Sequence, residues 1–340
     1  MNLIVFKQPA PNDGAGCCIG GTRVNTPVQD TGAQSETVYN KKSYTHLSKQ
    51  QIKASFVNKL FKNYFLFSIL TLCFVLALVI FFIGKTAFLT FKDISLAQYF
   101  FSFDWTPEEG KFGAALFILN TLSLTALTLV IAVPLSVGMA ILIAEIAPKW
   151  MKTIIRPILD LLVGIPSIVY GYLGLTILLP LLRELSGESL GDGLLAAALV
   201  LTIMILPTIC RISDDAIGAV PKKYREAAYA LGSTRLQSIF KVILPSAGRG
   251  IIAAIILGMT RAIGETMAVV MVIGNTPQLA KSLFASTSVL TSNIVMQISN
   301  VEFDSTWNYA LHMMAFLLLV ISFILILFIR FLGRKGGAES

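Results

Sequence analysis

The sequence contains few of the residues from which active sites and metal centres are built. Of its 340 residues only 2 are histidine and 4 are cysteine, and charged residues make up 14%. Neither His46 nor His312 lies in an HExxH motif or a triad-like arrangement. The cysteines do not show the spacing of metal ligands or of a disulfide framework. We therefore predict no catalytic residue, no metal site and no cofactor.

A nucleotide-binding loop is also missing from the sequence. Gly84-Lys85-Thr86 matches only the end of a P-loop, which requires a glycine five positions before Gly84, where the chain has Val79. If this protein uses the energy of ATP, a partner protein must hydrolyse the nucleotide.

Long apolar runs, in contrast, are abundant. Apolar residues make up 55% of the chain, and about 20 in succession are enough for a helix to cross the hydrocarbon core of a membrane. Six runs reach that length, which predicts an all-α polytopic membrane protein with six transmembrane helices. The runs are approximately Tyr64–Ile83, Phe112–Ala147, Pro157–Leu182, Leu194–Ile212, Gly250–Ile273 and Tyr309–Leu332.

The distribution of lysine and arginine predicts the orientation of these helices. With both termini in the cytoplasm, 21 basic residues lie inside and 5 outside, and Arg261 lies within a span. Topology thus explains the net charge of +8, and we expect contact with membrane lipid and no nucleic-acid partner.

The segments outside the apolar core form two tails. Residues 1–63 are polar and are predicted to be a largely disordered cytoplasmic tail. Near its end Ile52, Phe56 and Leu60 recur every four residues among lysines, which predicts a basic amphipathic helix on the inner leaflet. Residues 64–332 form the predicted transmembrane domain, and residues 333–340 a short cytoplasmic C-terminal tail.

A polar, basic stretch interrupts the apolar runs at residues 213–249, far longer than a simple connection requires. Residues 222–231 favour a helix, Gly232 is suited to end it in a left-handed conformation, and Thr234 with Gln237 predicts a capping box for a second helix. On pattern alone this is either an ordinary surface helical hairpin or a docking element for another protein.

The residues of this stretch resemble the EAA loop of bacterial ATP-binding-cassette importer permeases, whose core has the MetI-like fold. The resemblance rests on six residues: Glu226, Ala227, Ala228, Gly232, Leu244 and Pro245. Val242 stands where the family usually has isoleucine. The resemblance implies that this loop is the coupling helix that docks on a separate ATPase subunit, with Glu226 and Gly232 anchoring and shaping the contact.

The following apolar run contains two charged residues, Arg261 and Glu265. If the helix is continuous, their spacing of four places both on one face. Because ionised groups inside a membrane are costly, we expect them to line a pathway. The alternative is a structural ion pair that joins helices without contacting substrate.

The stretch RAIGETMAVVMVIGN, residues 261–275, strongly resembles phosphate importer permeases of the PstC type. Sister permeases of the PstA type have Ala-Pro after Gly-Glu-Thr, where this chain has Met267-Ala268. The resemblance covers residues 64–332 and implies import of inorganic phosphate, with Arg261 and Glu265 on the translocation path. It also implies a PstA-like sister permease, a PstB-like ATP-binding dimer and a periplasmic PstS-like phosphate-binding protein as partners, and a location in the bacterial inner membrane.

Other functions stay open at this point. One is a permease for another oxyanion, sulfate or molybdate, against which the GETMAV sequence argues. Another is a membrane scaffold for a phosphate-sensing complex, which would not require the Arg261–Glu265 pair. A secondary transporter is less consistent with the sequence, since no inverted internal repeat is evident.

Overall fold

The structure, a computed structural model, describes residues 33–186 and 191–335, with side chains described for residues 60–184 and 191–331. The chain forms two compact units, residues 1–73 and residues 74–340. In the first unit the described residues belong to the N-terminal part of one long helix. The expected tail, residues 1–32, lies outside the described residues, as do most side chains of the expected amphipathic helix. The backbone there is helical, with no break at the expected boundary near residue 63.

The described chain is almost entirely helical, as predicted, with one two-stranded antiparallel hairpin. The strands are β1 Trp105–Thr106 and β2 Lys111–Phe112. The helices are α1 Ala33–Phe88, α2 Leu96–Phe101, α3 Ala115–Ile141, α4 Lys149–Gly164, α5 Ser167–Leu173, α6 Leu179–Ser186, α7 Leu194–Gly218, α8 Lys222–Ala230, α9 Arg235–Ser238, α10 Leu244–Gly264, α11 Met267–Val272, α12 Leu290–Ile298 and α13 Thr306–Lys335.

Five stretches of the described chain are long and apolar enough to cross a membrane. They are Leu60–Lys92, Ala115–Ile146, Leu194–Gly218, Arg235–Gly264 and Thr306–Phe331. A sixth span exists only if α4 and the helical stretch Ser167–Glu184 are counted as one. These two segments are bent by 95° relative to each other. The expected third span, Pro157–Leu182, is thus not one straight helix: it breaks at Ile165 and Pro166, where the backbone is extended.

Three short π-helical segments, which are wider than an α-helix, each lie just before a proline. The π-helical segments Leu142–Ile146, Gly174–Leu178 and Ile239–Ile243 are each followed, after one residue, by Pro148, Pro180 and Pro245 respectively. Proline has no N–H to donate and its ring clashes with the carbonyl four residues earlier. A π turn shifts the hydrogen bond to the carbonyl five residues back, as Leu244 N–H does to Ile239. Pro245 is accommodated in this way inside a continuous helix.

Helix α7 lies at the centre of the second unit and packs on α3, α4 and α10. Ala196, Ala197 and Ala198 near its start are fully buried, which brings the neighbouring helices close. Helices α5 and α11 also pack on one another: a Cβ on Gly171 would lie 2.9 Å from the Ala268 Cα. Glycine at position 171 is thus required by the close approach of two backbones.

At the end of the bundle away from α8 and α9, a polar network holds the loop between α11 and α12 against α3. Asn120, which is 1% exposed, directs its amide nitrogen at Thr287 Oγ1 (2.6 Å) and at the carbonyls of Gln278 and Ser288 (both 3.0 Å). Its amide oxygen accepts from the Ala280 N–H at 3.2 Å. One buried side chain therefore satisfies several polar groups of the loop, as burial requires.

We expect Asn120→Leu to destabilise the protein by at least about 2 kcal/mol, because it leaves several buried loop groups without partners. Asn300→Leu, at an exposed position of the same end, is the matched control and should change little. The measurement is thermal unfolding of the purified chain in detergent. Equal unfolding temperatures for the two variants would contradict the assigned role of Asn120.

Candidate functional site

The polar stretch folds into a helical hairpin of α8 and α9, as the sequence predicts. At the end of α8 Gly232 has φ +78°, its N–H donates to the Tyr229 carbonyl, and the Ser233 N–H donates to the Ala228 carbonyl. These two bonds define a Schellman motif. The predicted capping box is also confirmed: Thr234 accepts from the Gln237 N–H, and the Gln237 side chain accepts from the Thr234 N–H.

The hairpin begins and ends closer to the spans than expected. Helix α7 continues to Gly218, and α9 starts the continuous helical stretch Arg235–Gly264. The polar hairpin is therefore residues 222–238, inside the expected range 213–249. Leu244 and Pro245, assigned to the same motif, lie in the span itself, directly after the π-helical segment.

An ion pair attaches this hairpin to the bundle. Arg225 donates from Nε (3.1 Å) and Nη2 (2.6 Å) to Glu145 Oε1, in the π-helical segment after α3. The same guanidinium donates to the carbonyls of Val220 (2.7 Å) and Ile217 (3.0 Å) at the end of α7. Arg235 at the start of α9 donates to the Glu145 carbonyl. One acidic residue thus fixes both helices of the hairpin.

The outward side of the hairpin presents polar and apolar side chains together. Glu226 and Ala227 are exposed, whereas Ala228 is buried against the bundle. On the same hairpin and at the start of the π-helical segment after it, Tyr229, Leu231, Leu236 and Phe240 are also exposed, Leu231 by 87%. We call the six exposed residues the hairpin surface: Glu226, Ala227, Tyr229, Leu231, Leu236 and Phe240. Large exposed apolar side chains on a polar hairpin are typical of an interaction site.

The expectation that Arg261 and Glu265 lie on one face of a continuous helix is wrong. Helix α10 ends at Gly264, Glu265 is extended (φ −70°, ψ 128°), and α11 begins at Met267. The expected fifth span, Gly250–Ile273, is accordingly a helix that starts earlier, at Arg235, and breaks after Gly264. Among the described side chains no ion pair forms between Arg261 and Glu265.

Glu265 satisfies polar groups at this break. Its carboxylate accepts from the Ala268 N–H at 3.2 Å, which caps the start of α11. Its backbone carbonyl accepts from Thr291 Oγ1 of α12 at 3.2 Å. A break inside a span is tolerated only where such partners replace the lost helical bonds, so Glu265 has a structural task whatever else it contacts.

Arg261 is half-buried and donates from Nη1 to Thr208 Oγ1 of α7 at 3.1 Å. The Tyr170 hydroxyl of α5 donates across the α4–α5 break to the Leu162 carbonyl at 2.8 Å. Helices α5 and α11, which follow the two breaks, pack on one another. No carboxylate within the described part of the chain forms an ion pair with it.

A second ionic cluster joins α4 to α7 nearer the hairpin. Asp214 is fully buried and accepts two hydrogen bonds from Arg156, at 2.8 and 3.1 Å. Arg211 binds Asp160 and Asp215, both at 3.0 Å. Asp160, which follows Pro157 in the sequence, therefore pairs with a neighbouring helix. This structural role is what its place near a helix end favours.

Sequence reasoning missed the anchoring residues Arg225 and Glu145. Each had a detectable signal: Glu145 is the single acidic residue in the run Phe112–Ala147, and Arg225 directly precedes Glu226. What the sequence could not show is that two residues 80 positions apart meet.

We expect Arg225→Ala to release α8 from the bundle, because three acceptors lose a charged donor worth more than about 1 kcal/mol each. Hydrogen exchange of amides 222–230 should rise roughly tenfold or more. Lys222→Ala, which removes an exposed charge from the same helix, should leave exchange unchanged. Unchanged protection in Arg225→Ala would contradict the anchoring role.

Comparison with known proteins agrees with this architecture. Residues 132–335 match the family of binding-protein-dependent transport system inner membrane components. The chain is 43% identical to the probable ABC transporter permease protein YqgH of Bacillus subtilis, over 74% of this chain and 82% of that protein. It is 34% identical to the phosphate transport system permease protein PstC of Xylella fastidiosa, over 71% and 81% respectively.

The fold has a counterpart among solved structures. A chain of a bacterial alginate ABC transporter, in complex with its pentasaccharide-bound periplasmic protein, superposes with a TM-score of 0.56 at 15% identity, covering 82% of this chain and 96% of that one. The expected all-α permease fold is thereby confirmed. This chain belongs to the family of binding-protein-dependent transport system inner membrane components.

Proposed function

We propose that this chain is a permease subunit of an ATP-driven phosphate importer and contributes the translocation pathway for inorganic phosphate. The observation that carries the proposal is the half-buried Arg261, which donates a hydrogen bond to the neutral Thr208 and lies three residues before the end of α10 at Gly264. Its relatives include PstC phosphate transport permeases from several bacteria, at 34–39% identity.

The chemistry of Arg261 suits a phosphate ion. A guanidinium donates parallel hydrogen bonds to two oxygens of an anion and stays charged at any physiological pH. Because Thr208 carries no charge, the positive potential of Arg261 is not cancelled by a fixed carboxylate partner. One such cation attracts phosphate without holding it as a cluster of arginines would, and transport requires that a bound ion also leave.

Discontinuous helices support a pathway at this place. Transporters bind substrate and coupling ions where spans are interrupted and backbone polar groups become accessible. Here the interruptions at Pro166 and Glu265 lie on helices that pack together, α5 and α11. Glu265 remains a pathway residue in this proposal. Its carboxylate alternates between accepting from the Ala268 N–H of α11 and contacting the groups that surround the passing ion.

The hairpin surface couples the permease to ATP hydrolysis in a separate subunit. Glu226 and Ala227 belong to it, the buried Ala228 and the turn at Gly232 shape it, and Leu244-Pro245 begins α10. The excess of basic residues in the hairpin and the tails supports an orientation with both termini in the cytoplasm and the hairpin on the ATP-containing side. The proposed partners are a PstB-like ATP-binding dimer, a PstA-like sister permease and a PstS-like periplasmic phosphate-binding protein. The chain itself has no catalytic role in this scheme.

Another oxyanion is the second candidate substrate, because sulfate also presents oxygens that a guanidinium binds. Uptake measurements that compare labelled phosphate with labelled sulfate and molybdate distinguish these substrates directly. A scaffold without transport activity would take up none of them.

We expect Arg261→Ala to lower phosphate uptake at subsaturating concentration at least roughly 100-fold, since two charge-assisted hydrogen bonds are lost. Arg261→Lys keeps the charge and loses the planar donor pair, so uptake should fall about tenfold. Radiolabelled phosphate uptake, with membrane levels and complex yield measured in parallel, provides the test.

Two controls make this measurement specific. Lys281→Ala removes a positive charge from an exposed loop position and should leave uptake intact. The double variant Arg261→Leu/Glu265→Leu should stay inactive, because the two residues do not form an ion pair. Normal uptake in the double variant would overturn the pathway role.

We expect Glu226→Lys to reduce co-purification of the ATP-binding subunit at least about tenfold, because the sign of the charge is reversed at the centre of the hairpin surface. Glu302→Lys makes the same reversal at an exposed position of the opposite end and should not affect co-purification. Undiminished yield of the ATP-binding subunit with Glu226→Lys would contradict the coupling assignment while leaving the phosphate pathway open.

A further inference from the structure

Thr208 of α7 accepts the hydrogen bond that Arg261 of α10 donates. The distance from Arg261 Nη1 to Thr208 Oγ1 is 3.1 Å. A guanidinium carries donors and no acceptor, so the hydroxyl oxygen is necessarily the acceptor in this bond. The proton of the Thr208 hydroxyl is therefore not used by Arg261, and it is left to donate to another group.

The neighbouring threonines use their hydroxyl protons differently. Every other threonine on α3, α7 and α10 donates to a backbone carbonyl, at distances from 2.7 to 3.5 Å: Thr121, Thr125, Thr128, Thr202 and Thr260. A backbone carbonyl is the usual acceptor for a hydroxyl inside a helix. Within the part of the chain that the structure describes, Thr208 has no hydrogen bond to such an acceptor. Its hydroxyl is thus a donor beside a cation, and a donor in a span is costly unless a ligand or water accepts from it.

We propose that the Thr208 hydroxyl donates to the anion that Arg261 attracts, so that the two residues bind one phosphate ion together. This inference rests on the proposed function of Arg261. Both side chains are half-buried, so part of each stays accessible. The guanidinium has five N–H donors, of which Thr208 accepts from one. The separation of 3.1 Å between Nη1 and Oγ1 is similar to that between two oxygens of a tetrahedral anion, so the two groups can donate to neighbouring oxygens.

A hydroxyl suits this position better than a carboxylate would. A carboxylate beside Arg261 would form an ion pair with it and cancel its positive potential. The Thr208 hydroxyl accepts from the guanidinium, stays neutral and adds a donor of its own. The pair therefore presents one charge and several donors, which binds an anion without the retention that a second cation would cause.

The first test measures phosphate uptake by the complete importer at subsaturating concentration. Thr208→Val keeps the shape of the side chain and removes its hydroxyl. We expect uptake to fall at least about tenfold, because a hydrogen bond to a charged ligand is lost. Thr208→Ser keeps the hydroxyl and should restore uptake. Thr260→Val is the matched control: the Thr260 hydroxyl donates to the Ile256 carbonyl, so its loss should leave uptake unchanged.

The second test shows whether the anion contacts position 208 itself. Thr208→Cys is introduced after the 4 native cysteines have been replaced by serine, and the complex is purified in detergent with its attached subunits. We expect phosphate to slow the modification of this thiol by a neutral methanethiosulfonate in a concentration-dependent way. Chloride at equal ionic strength should not slow it, and Arg261→Gln in the same background should abolish the protection by phosphate.

Three results would overturn the role of Thr208 and leave the proposed function standing. The first is a parent that takes up phosphate, an Arg261→Lys variant that takes up less, and a Thr208→Val variant that transports as the parent does. The second is a loss of uptake in Thr208→Val that Thr208→Ser does not restore, since packing and not the hydroxyl would then be responsible. The third is a transport-active Thr208→Cys variant whose modification is indifferent to phosphate, because Thr208 would then only position Arg261. A parent complex that takes up no phosphate would instead overturn the proposed function itself.

Discussion

The ion pair between Arg225 and Glu145 determines how the hairpin is held on the bundle. Arg225 also donates to two carbonyls at the end of α7, and Arg235 donates to the Glu145 backbone. The pair therefore connects α3, α7, α8 and α9 at one point. Because both side chains are largely buried, losing either partner leaves a charge without compensation, which costs more than an exposed pair would. A force applied to the hairpin surface is thus transmitted directly to two central spans.

The second constraint is that every interrupted backbone must find new partners. Breaks in α4–α5 and α10–α11 would leave unsatisfied polar groups, which an apolar surrounding penalises strongly. Tyr170, Glu265 and Thr291 supply the missing donors and acceptors at these breaks, and Asn120 does so for the loop after α11. Arg261 differs from these residues because its hydrogen bond to Thr208 does not serve a broken backbone.

The positions of the spans and the turn of the hairpin are predictable from the sequence. Apolar runs locate the spans because a membrane requires length and composition alone, and Gly232 and Thr234 specify the hairpin turn because only local geometry matters there. The break at Glu265 was missed, since Arg261-Ala-Ile-Gly-Glu has no proline and its helical spacing is ideal. The π-helical segments also had a signal in the sequence, because a single residue separates each of them from a following proline. Long-range pairs such as Arg156–Asp214 depend on packing that one sequence does not reveal.

In the proposed pathway, the separation of Arg261 from Glu265 determines what charge a passing anion meets. A carboxylate paired with the guanidinium would cancel its potential, and phosphate would have to displace that partner before binding. At the helix break the Glu265 carboxylate accepts from the Ala268 amide, and the Arg261 guanidinium donates to the Thr208 hydroxyl; among the described side chains the two form no ion pair. The same break brings Glu265 into the α11–α12 junction through Thr291. A movement of α11 would therefore change the distance between the two charges, and with it the attraction that an anion meets. Transport that alternates between strong and weak attraction needs such an element, because a site of constant affinity would either reject the ion or retain it.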